Sequence, residues 1–277
     1  MDLNTQLHQL IDMAYAEDGE KDITSAAICT ENDEKEAVIV AKQDGIICGL
    51  SFIEQILAPV DESLVFEPFL EEGDPIKQRM MVGALTGPVK SLLRVERVLI
   101  NFLSRLSGIA TTTHEFLQAI EGSHAMILDT RKTVPGWRFL DKFAVKTAGA
   151  INHRMSLEDV AMIKDTHVDA CGGVVEAIQR FRSQDTETPL IVEVRDLEEL
   201  KQALEHVKSL TRVMLDNFSL EDLRAAVELT SNKTLLEASG NITLENAREI
   251  AETGVHFLSI GSLTHSPRAF DLSLQIS

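Results

Sequence analysis

From about residue 125 onward, short apolar runs alternate with amphipathic stretches, and this rhythm restricts the fold more than any other feature of the chain. The runs are Ala125–Leu128, Val160–Ile163, Leu190–Val194, Arg212–Leu215, Thr234–Glu237 and Val255–Ile260, with a further one near Ala150-Ile151. Stretches with helical periodicity occupy about 174–183, 196–208, 219–230 and 243–253. A strand that returns to its own sheet through a helix must run parallel to its predecessor, with a right-handed crossover. That implies a barrel or a doubly wound sheet, and six or seven such units over about 140 residues favour a compact, incomplete α/β barrel.

The earlier part reads differently. Leu3, Leu7, Leu10, Ile11 and Ala14 predict a helix over 2–16. A pair of strands is expected, Glu36–Lys42 with Gly45–Gly49, around a turn at Gln43-Asp44. A helix over Leu50–Leu57 should stop before Pro59, and Glu71–Pro75 reads as a turn. Pro88 is placed to open a long helix that runs past Gly108 to about Ile120. The change of rhythm predicts two domains, 1–110 and 111–265, with a boundary near 108–125.

In parallel α/β architectures ligands bind beyond the carboxyl ends of the strands. At or just past the ends of the apolar runs stand Asp129-Thr130-Arg131-Lys132, Lys164-Asp165, Glu193, Asp216-Asn217, Glu237 with Ser239-Gly240-Asn241, and Ser259 with Gly261-Ser262. Each alone is ordinary, but a run of six is not. The last two loops suit a phosphate, because glycine lets the backbone approach and a helix start offers N–H groups. Glu193 and Asp216 suit sugar hydroxyls or Mg²⁺, or else ion pairs with Arg131 or Lys164.

Charge narrows the ligand. The chain carries −18, yet residues 129–154 hold six Lys/Arg (Arg131, Lys132, Arg138, Lys142, Lys146, Arg154) against two Asp, so this segment is +4 and the rest −22. A basic island in an acidic protein cannot be a general nucleic-acid surface, since the long-range field repels polyanions. It suits a recessed site for a small, multiply charged anion. His153, between Asn152 and Arg154, reads first as a hydrogen-bonded structural residue. Its basic neighbours make an anion contact more attractive than metal ligation. No apolar run approaches the roughly 18 residues of a membrane span, the start lacks the pattern of a secretory signal, and Cys29, Cys48 and Cys171 show no metal-type spacing. A cytoplasmic protein with reduced thiols is expected.

Taken in order, these motifs resemble the quinolinate phosphoribosyltransferase (decarboxylating nicotinate-nucleotide pyrophosphorylase) family. The matching stretches are Glu96-Arg97, Leu103–Thr111, Asp129–Gly136, Asn152-His-Arg-Met155, Ile163-Lys-Asp165, Val192-Glu-Val194, Leu215-Asp-Asn217, Glu237–Ile242 and Ile260-Gly-Ser-Leu-Thr-His265. The resemblance implies an N-terminal α/β sandwich rejoined by the tail 266–277, an open α/β barrel, and a homodimer, alone or within a larger oligomer, that shares its active sites. It implies that quinolinate and phosphoribosyl pyrophosphate give nicotinate mononucleotide, pyrophosphate and CO₂, with Mg²⁺.

By the same likeness Arg131, His153 and Arg154 grip the quinolinate carboxylates, with Arg97 arriving from the partner subunit. Lys132 and Lys164 contact carboxylate or pyrophosphate oxygens, and Thr130 belongs to the same binding loop. Glu193 and Asp216 hold the ribose hydroxyls and Mg²⁺. Ser239, Gly240, Asn241 and Gly261 cradle the 5′-phosphate, and Ile260 and His265 are counted among the substrate-binding residues. Lys132, Lys164, Glu193 and Asp216 form the expected catalytic set. The chain departs from the family pattern at Thr166, where an Asn is common, at Ala148-Gly-Ala150, and at Arg195, where an acid is usual. Two other readings are a paralogous transferase with another carboxylated acceptor, of the molybdenum-associated type, and a homologue that binds without turnover.

Overall fold

The computed structural model describes residues 3–30 and 33–276; Asp2, the expected start of the first helix, and Ser277 of the expected tail lie outside them. The opening elements are α1 (Leu3–Asp18), α2 (Ile23–Ile28), β1 (Glu34–Ala41), β2 (Gly45–Ile46) and α3 (Ile53–Leu57). They are followed by β3 (Val65–Pro68), β4 (Pro75–Ile76), β5 (Met81–Pro88) and α4 (Val89–Ala119). Then come β6 (Met126–Leu128), α5 (Arg138–Thr147), β7 (Ala161–Ile163), α6 (Asp165–Cys171), α7 (Val174–Gln184), β8 (Leu190–Val194) and α8 (Leu197–Glu205). The chain closes with β9 (Arg212–Asp216), α9 (Leu220–Thr230), β10 (Leu235–Ser239), α10 (Leu244–Ala251), β11 (Phe257–Ser259), α11 (Ser262–His265) and β12 (Leu272–Ile276).

These elements form two compact units. The first comprises the chain up to His114, Thr133–Gly149 and the chain from Thr264 onward; the second comprises Glu115–Lys132 and Ala150–Leu263. In the first, β12, β1, β5 and β3 make an antiparallel sheet in that order. Ala37, Ile39 and Ala41 of β1 are buried, which is the period-two pattern of a strand with one covered face. The expected strand over Gly45–Gly49 shrinks to Gly45–Ile46. It pairs with β4 and not with β1, and the backbone here also donates to helix hydroxyls, Ile46 N to Thr111 Oγ1 (2.9 Å) and Cys48 N to Ser107 Oγ (3.0 Å). Pro88 ends β5 rather than opening α4, and the helix starts one residue later. The helix passes unbroken through Gly108, where the Arg268 carbonyl occupies the place a Cβ would take.

Contacts also move one segment across the expected boundary. Thr133–Gly149 was expected within 111–265 but packs with the first unit. Helix α5 buries Leu140, Ala144 and Val145, and Phe139 and Phe143 meet Phe52 edge-on at 6.2 and 4.8 Å. Asp141, wholly buried, pairs with Arg105 of α4 at 2.8 Å. Burial raises its carboxyl above the ordinary range despite that guanidinium. The basic island is therefore divided, since Arg138, Lys142 and Lys146 belong to α5 of the first unit.

The second unit is the open barrel. Six parallel strands lie in the order β6-β11-β10-β9-β8-β7. Consecutive strands β6 and β7 occupy opposite edges, and an isolated parallel bridge from Ile151 to Leu128 extends the β6 edge. Val192, Val194, Val213 and Leu215 are fully buried, as strands covered by helices require. Their carboxyl ends gather at one mouth, where the site forms.

Candidate active site

A cavity of about 590 Å³ opens at the carboxyl ends of the second unit's strands. Thr130, Arg131 and Lys132 enter it after β6, His153 and Arg154 from the loop before β7, and Lys164 and Asp165 after β7. Glu193 comes from β8, Asp216 and Asn217 from the end of β9, and Ser239, Gly240 and Asn241 from the end of β10. Parallel strands in register bring together residues as far apart in sequence as Thr130 and Ser259.

Arg131, Lys132, Arg154 and Lys164 line this space together with the carboxylates of Asp165, Glu193 and Asp216. Arg154 is half-buried, and burial together with the adjacent Arg131 charge lowers its pKa. The Arg154 guanidinium donates to the Val160 carbonyl at 2.9 Å. Arg131 has its Nε buried without a hydrogen-bond partner. Two guanidiniums held close, one of them short of an acceptor, form a receptor for anionic oxygens.

Glu193 and Asp216 make the opposite arrangement. Burial first, and then the Asp216 charge, raise the Glu193 carboxyl above its ordinary value, while Lys164 and Lys132 pull it down. Asp216 accepts from Asn217 Nδ2 at 2.8 Å. The same Asn217 accepts from Asn241 Nδ2 at 3.1 Å, so the carboxylate of β9 is tied to the loop after β10. Asn217 and Asn241 have φ of 57° and 53°, and Gly240 has φ of 95°. A Cβ on Gly240 would collide with Asn217 Oδ1. Glycine is needed here both for its backbone conformation and for space. Asn246 Oδ1 accepts the Thr243 N–H at 2.8 Å at the start of α10, just beyond this loop.

Four of the expected site residues lie elsewhere. Arg97 is exposed on α4, beside Asp18, Lys21, Asp22 and Arg94 of the first unit. Ile260 is buried and its N–H donates to the Leu128 carbonyl at 2.9 Å. Gly261 follows it outside the cavity lining, and His265 is exposed, bonded to Ser266 Oγ at 2.7 Å. Conversely, Met162 and Met214 line the cavity. In the sequence they were two apolar residues inside apolar runs, with nothing to set them apart from core. Asp165, Asn217 and Ser259 also line it; their positions at strand ends were the available signal.

Models of two domains match this chain: quinolinate phosphoribosyl transferase, N-terminal domain, over residues 22–107, and the C-terminal domain of the same enzyme over 109–275. The chain belongs to the quinolinate phosphoribosyl transferase family. It is 42% identical to the chloroplastic nicotinate-nucleotide pyrophosphorylase (carboxylating) of Arabidopsis thaliana, over 98% of this chain and 82% of that protein. It is 38% identical to the probable nicotinate-nucleotide pyrophosphorylase (carboxylating) of Bacillus subtilis, over 98% and 94% of the respective chains. The solved nicotinate-nucleotide pyrophosphorylase of Francisella tularensis superposes with a TM-score of 0.94 at 35% identity, covering 100% of this chain and 98% of that one. Family membership thus agrees with the open barrel and the antiparallel sheet described above.

Proposed function

We propose that this protein transfers the phosphoribosyl group of phosphoribosyl pyrophosphate to quinolinate, with loss of CO₂, giving nicotinate mononucleotide and pyrophosphate. The observation that carries this reading is one cavity lined by both the Arg131–Arg154 pair and the Glu193–Asp216 pair. A pyridine dicarboxylate matches the first group, and a polyhydroxylated, phosphorylated sugar matches the second and the loops beyond it.

In this reading Arg131 and Arg154 hold the quinolinate carboxylates with the ring nitrogen turned toward the ribose C1. The nitrogen forms its bond to C1 as the bond to pyrophosphate breaks. Lys132 and Lys164 stabilise the departing oxygens, and Glu193 and Asp216 steady the ribose and the positive charge that develops on it. The carboxyl group beside the nitrogen then leaves as CO₂. Its electron pair is stabilised by the adjacent pyridinium nitrogen until a proton replaces it. Positioning and fixed charge supply most of the rate enhancement. Ser239, Gly240 and Asn241 receive the 5′-phosphate.

Magnesium fits the residues present. Among the described residues no group of three or more His, Cys, Asp or Glu could cage a metal by itself. Mg²⁺ is commonly held by one or two carboxylates together with substrate phosphates. Glu193, whose pKa is raised by burial and then by the Asp216 charge, would provide the protein's share together with Asp216. When bound, the ion would neutralise charge on the pyrophosphate.

We further propose a cytoplasmic homodimer in which Arg97 completes the partner's site. Its exposure on α4 supports that arrangement. Among the described residues no helix is long and apolar enough to cross a membrane.

The test is product formation from phosphoribosyl pyrophosphate, Mg²⁺ and either quinolinate or nicotinate. Nicotinate mononucleotide and CO₂ should form from quinolinate alone. Binding of quinolinate without turnover of either acceptor would identify a degenerate binder. Absence of quinolinate binding would favour a paralogue with another acceptor. Mixed Arg97→Ala and Lys132→Ala subunits should recover partial activity, and no recovery after proven subunit exchange would refute the shared site.

A further inference from the structure

Beneath the cavity lies a carboxylate that the proposed reaction does not use. Glu237 of β10 is wholly buried. His153 Nε2 stands 3.3 Å from its Oε1, and Arg212 Nε stands 2.8 Å from its Oε2. Ser259 Oγ donates to Oε1. Desolvation alone would raise the Glu237 pKa, but His153, Arg212 and Ser259 outweigh it and hold the carboxyl below its ordinary value. An ionised, fully buried glutamate is costly to build unless its partners compensate it. These partners include a residue of the cavity wall.

The imidazole shows what the compensation achieves. His153 Nδ1 lies 2.7 Å from the backbone nitrogen of Arg154. A backbone N–H only donates, so Nδ1 must be bare, and the ring proton sits on Nε2. Arg212 Nη2, 3.2 Å from Nε2, has no lone pair to receive that proton. Glu237 Oε1 can receive it. The His153 backbone is anchored separately, its N–H donating to the buried Asp129 Oδ1 at 2.8 Å.

We infer that Glu237 is a positioning residue: it holds His153 as the Nε2–H tautomer, so that Nδ1 accepts from the Arg154 N–H and sets the backbone from which the Arg154 guanidinium enters the cavity. Arg212, whose Nε stands 2.8 Å from Oε2, faces Glu237 with its charge. His153 also serves the site through Arg154, its Nδ1 engaged by the Arg154 N–H and its Nε2 by Glu237. The inference rests on the reading that Arg154 holds a quinolinate carboxylate.

Two measurements test it. In wild-type protein with ¹⁵N-labelled histidine, the NMR spectrum at neutral pH should show His153 with Nδ1 bare and Nε2 protonated. A protonated Nδ1 would overturn the inference directly. In Glu237→Gln the amide can present either N–H or C=O to the ring. The tautomer should become mixed, and the KM for quinolinate should rise on the order of 10- to 100-fold. The KM for phosphoribosyl pyrophosphate should stay within about twofold of wild type, well short of the tenfold that about 1.4 kcal/mol would produce. Equal rises in both constants, or no change in either, would refute positioning. If Glu237→Gln fails to fold, Glu237→Gln/Arg212→Gln removes both charges together and is read the same way. Wild-type protein that turns over no quinolinate would remove the functional reading, while the tautomer measurement would still decide the Glu237–His153 arrangement.

Discussion

Glu193 and Glu237 occupy the same level of one sheet, on either side of Met214 in β9. They are the same residue type, both withdrawn from water, and they titrate in opposite directions. Glu193 faces the cavity and is raised by burial and by Asp216. Glu237 lies deeper, yet it is lowered, because hydrogen bonds from His153 and Ser259 together with the Arg212 charge outweigh its burial. Depth therefore does not set the protonation of a buried acid; the neighbours do. Glu193 is kept poorly compensated where a substrate or cation can complete it. Glu237 is compensated in advance and holds the floor.

The most damaging way to break this contrast is to remove the compensation. Arg212→Ala leaves Glu237 buried with a lost ion pair, and stability should fall by about 3–5 kcal/mol. Urea midpoints measure this. A depressed carboxyl pKa stabilises the fold above the unfolded value and loses that contribution as pH falls through the folded pKa. The deficit of Arg212→Ala should therefore be full at neutral pH and shrink in acid, below the ordinary glutamate value of 4.5. A deficit that stays constant with pH would mean that Glu237 is not ionised.

Glu193→Gln should do the reverse. Its raised pKa means that the folded state is favoured below the unfolded value and loses ground as pH rises through the folded pKa. The variant should be as stable as wild type in acid and more stable above the ordinary value of 4.5. Its turnover should fall by about 10²-fold, the scale of losing one charge-stabilising group. A Glu193→Gln that is less stable at neutral pH would place this residue in the same class as Glu237.

The smallest effect sharpens the comparison at its neighbour. Gly240→Ala forces a left-handed alanine against Asn217, at a cost of about 1–2 kcal/mol. Asn217 holds Asp216, so the displacement should reach Glu193 and leave Glu237 unmoved. The KM for phosphoribosyl pyrophosphate should rise several-fold while the His153 tautomer, read by NMR, stays as in wild type. A changed tautomer would show that floor and rim are coupled.

Much of this site is legible in the chain because strand ends are legible. Arg131, Lys164, Glu193, Asp216 and Gly240 each lie at or just past the end of an apolar run, and parallel topology alone brings such positions to one mouth. Met162 and Met214 were hidden, since a lining residue of a strand differs from a core residue only in what faces it. The cations of 129–154 misled as a group. Arg131, Lys132 and Arg154 line the cavity, whereas Arg138, Lys142 and Lys146 are carried off by α5, whose Phe139, Phe143 and Asp141 pack against Phe52 and Arg105. Net charge along a segment records composition; it does not record which way a helix turns.

By itself the sequence determined the alternation of strand and helix, the parallel order that this alternation dictates, and the acids and bases placed at the strand ends. These depend on local periodicity and on connection lengths, which are written residue by residue. Only the tertiary structure decided that Thr133–Gly149 joins the first unit, and that His153 answers to Glu237, 84 positions away. It also decided that two glutamates in one row carry opposite shifts. Burial and Coulomb interactions act through space at a few ångströms, between residues whose separation along the chain holds no trace of that distance.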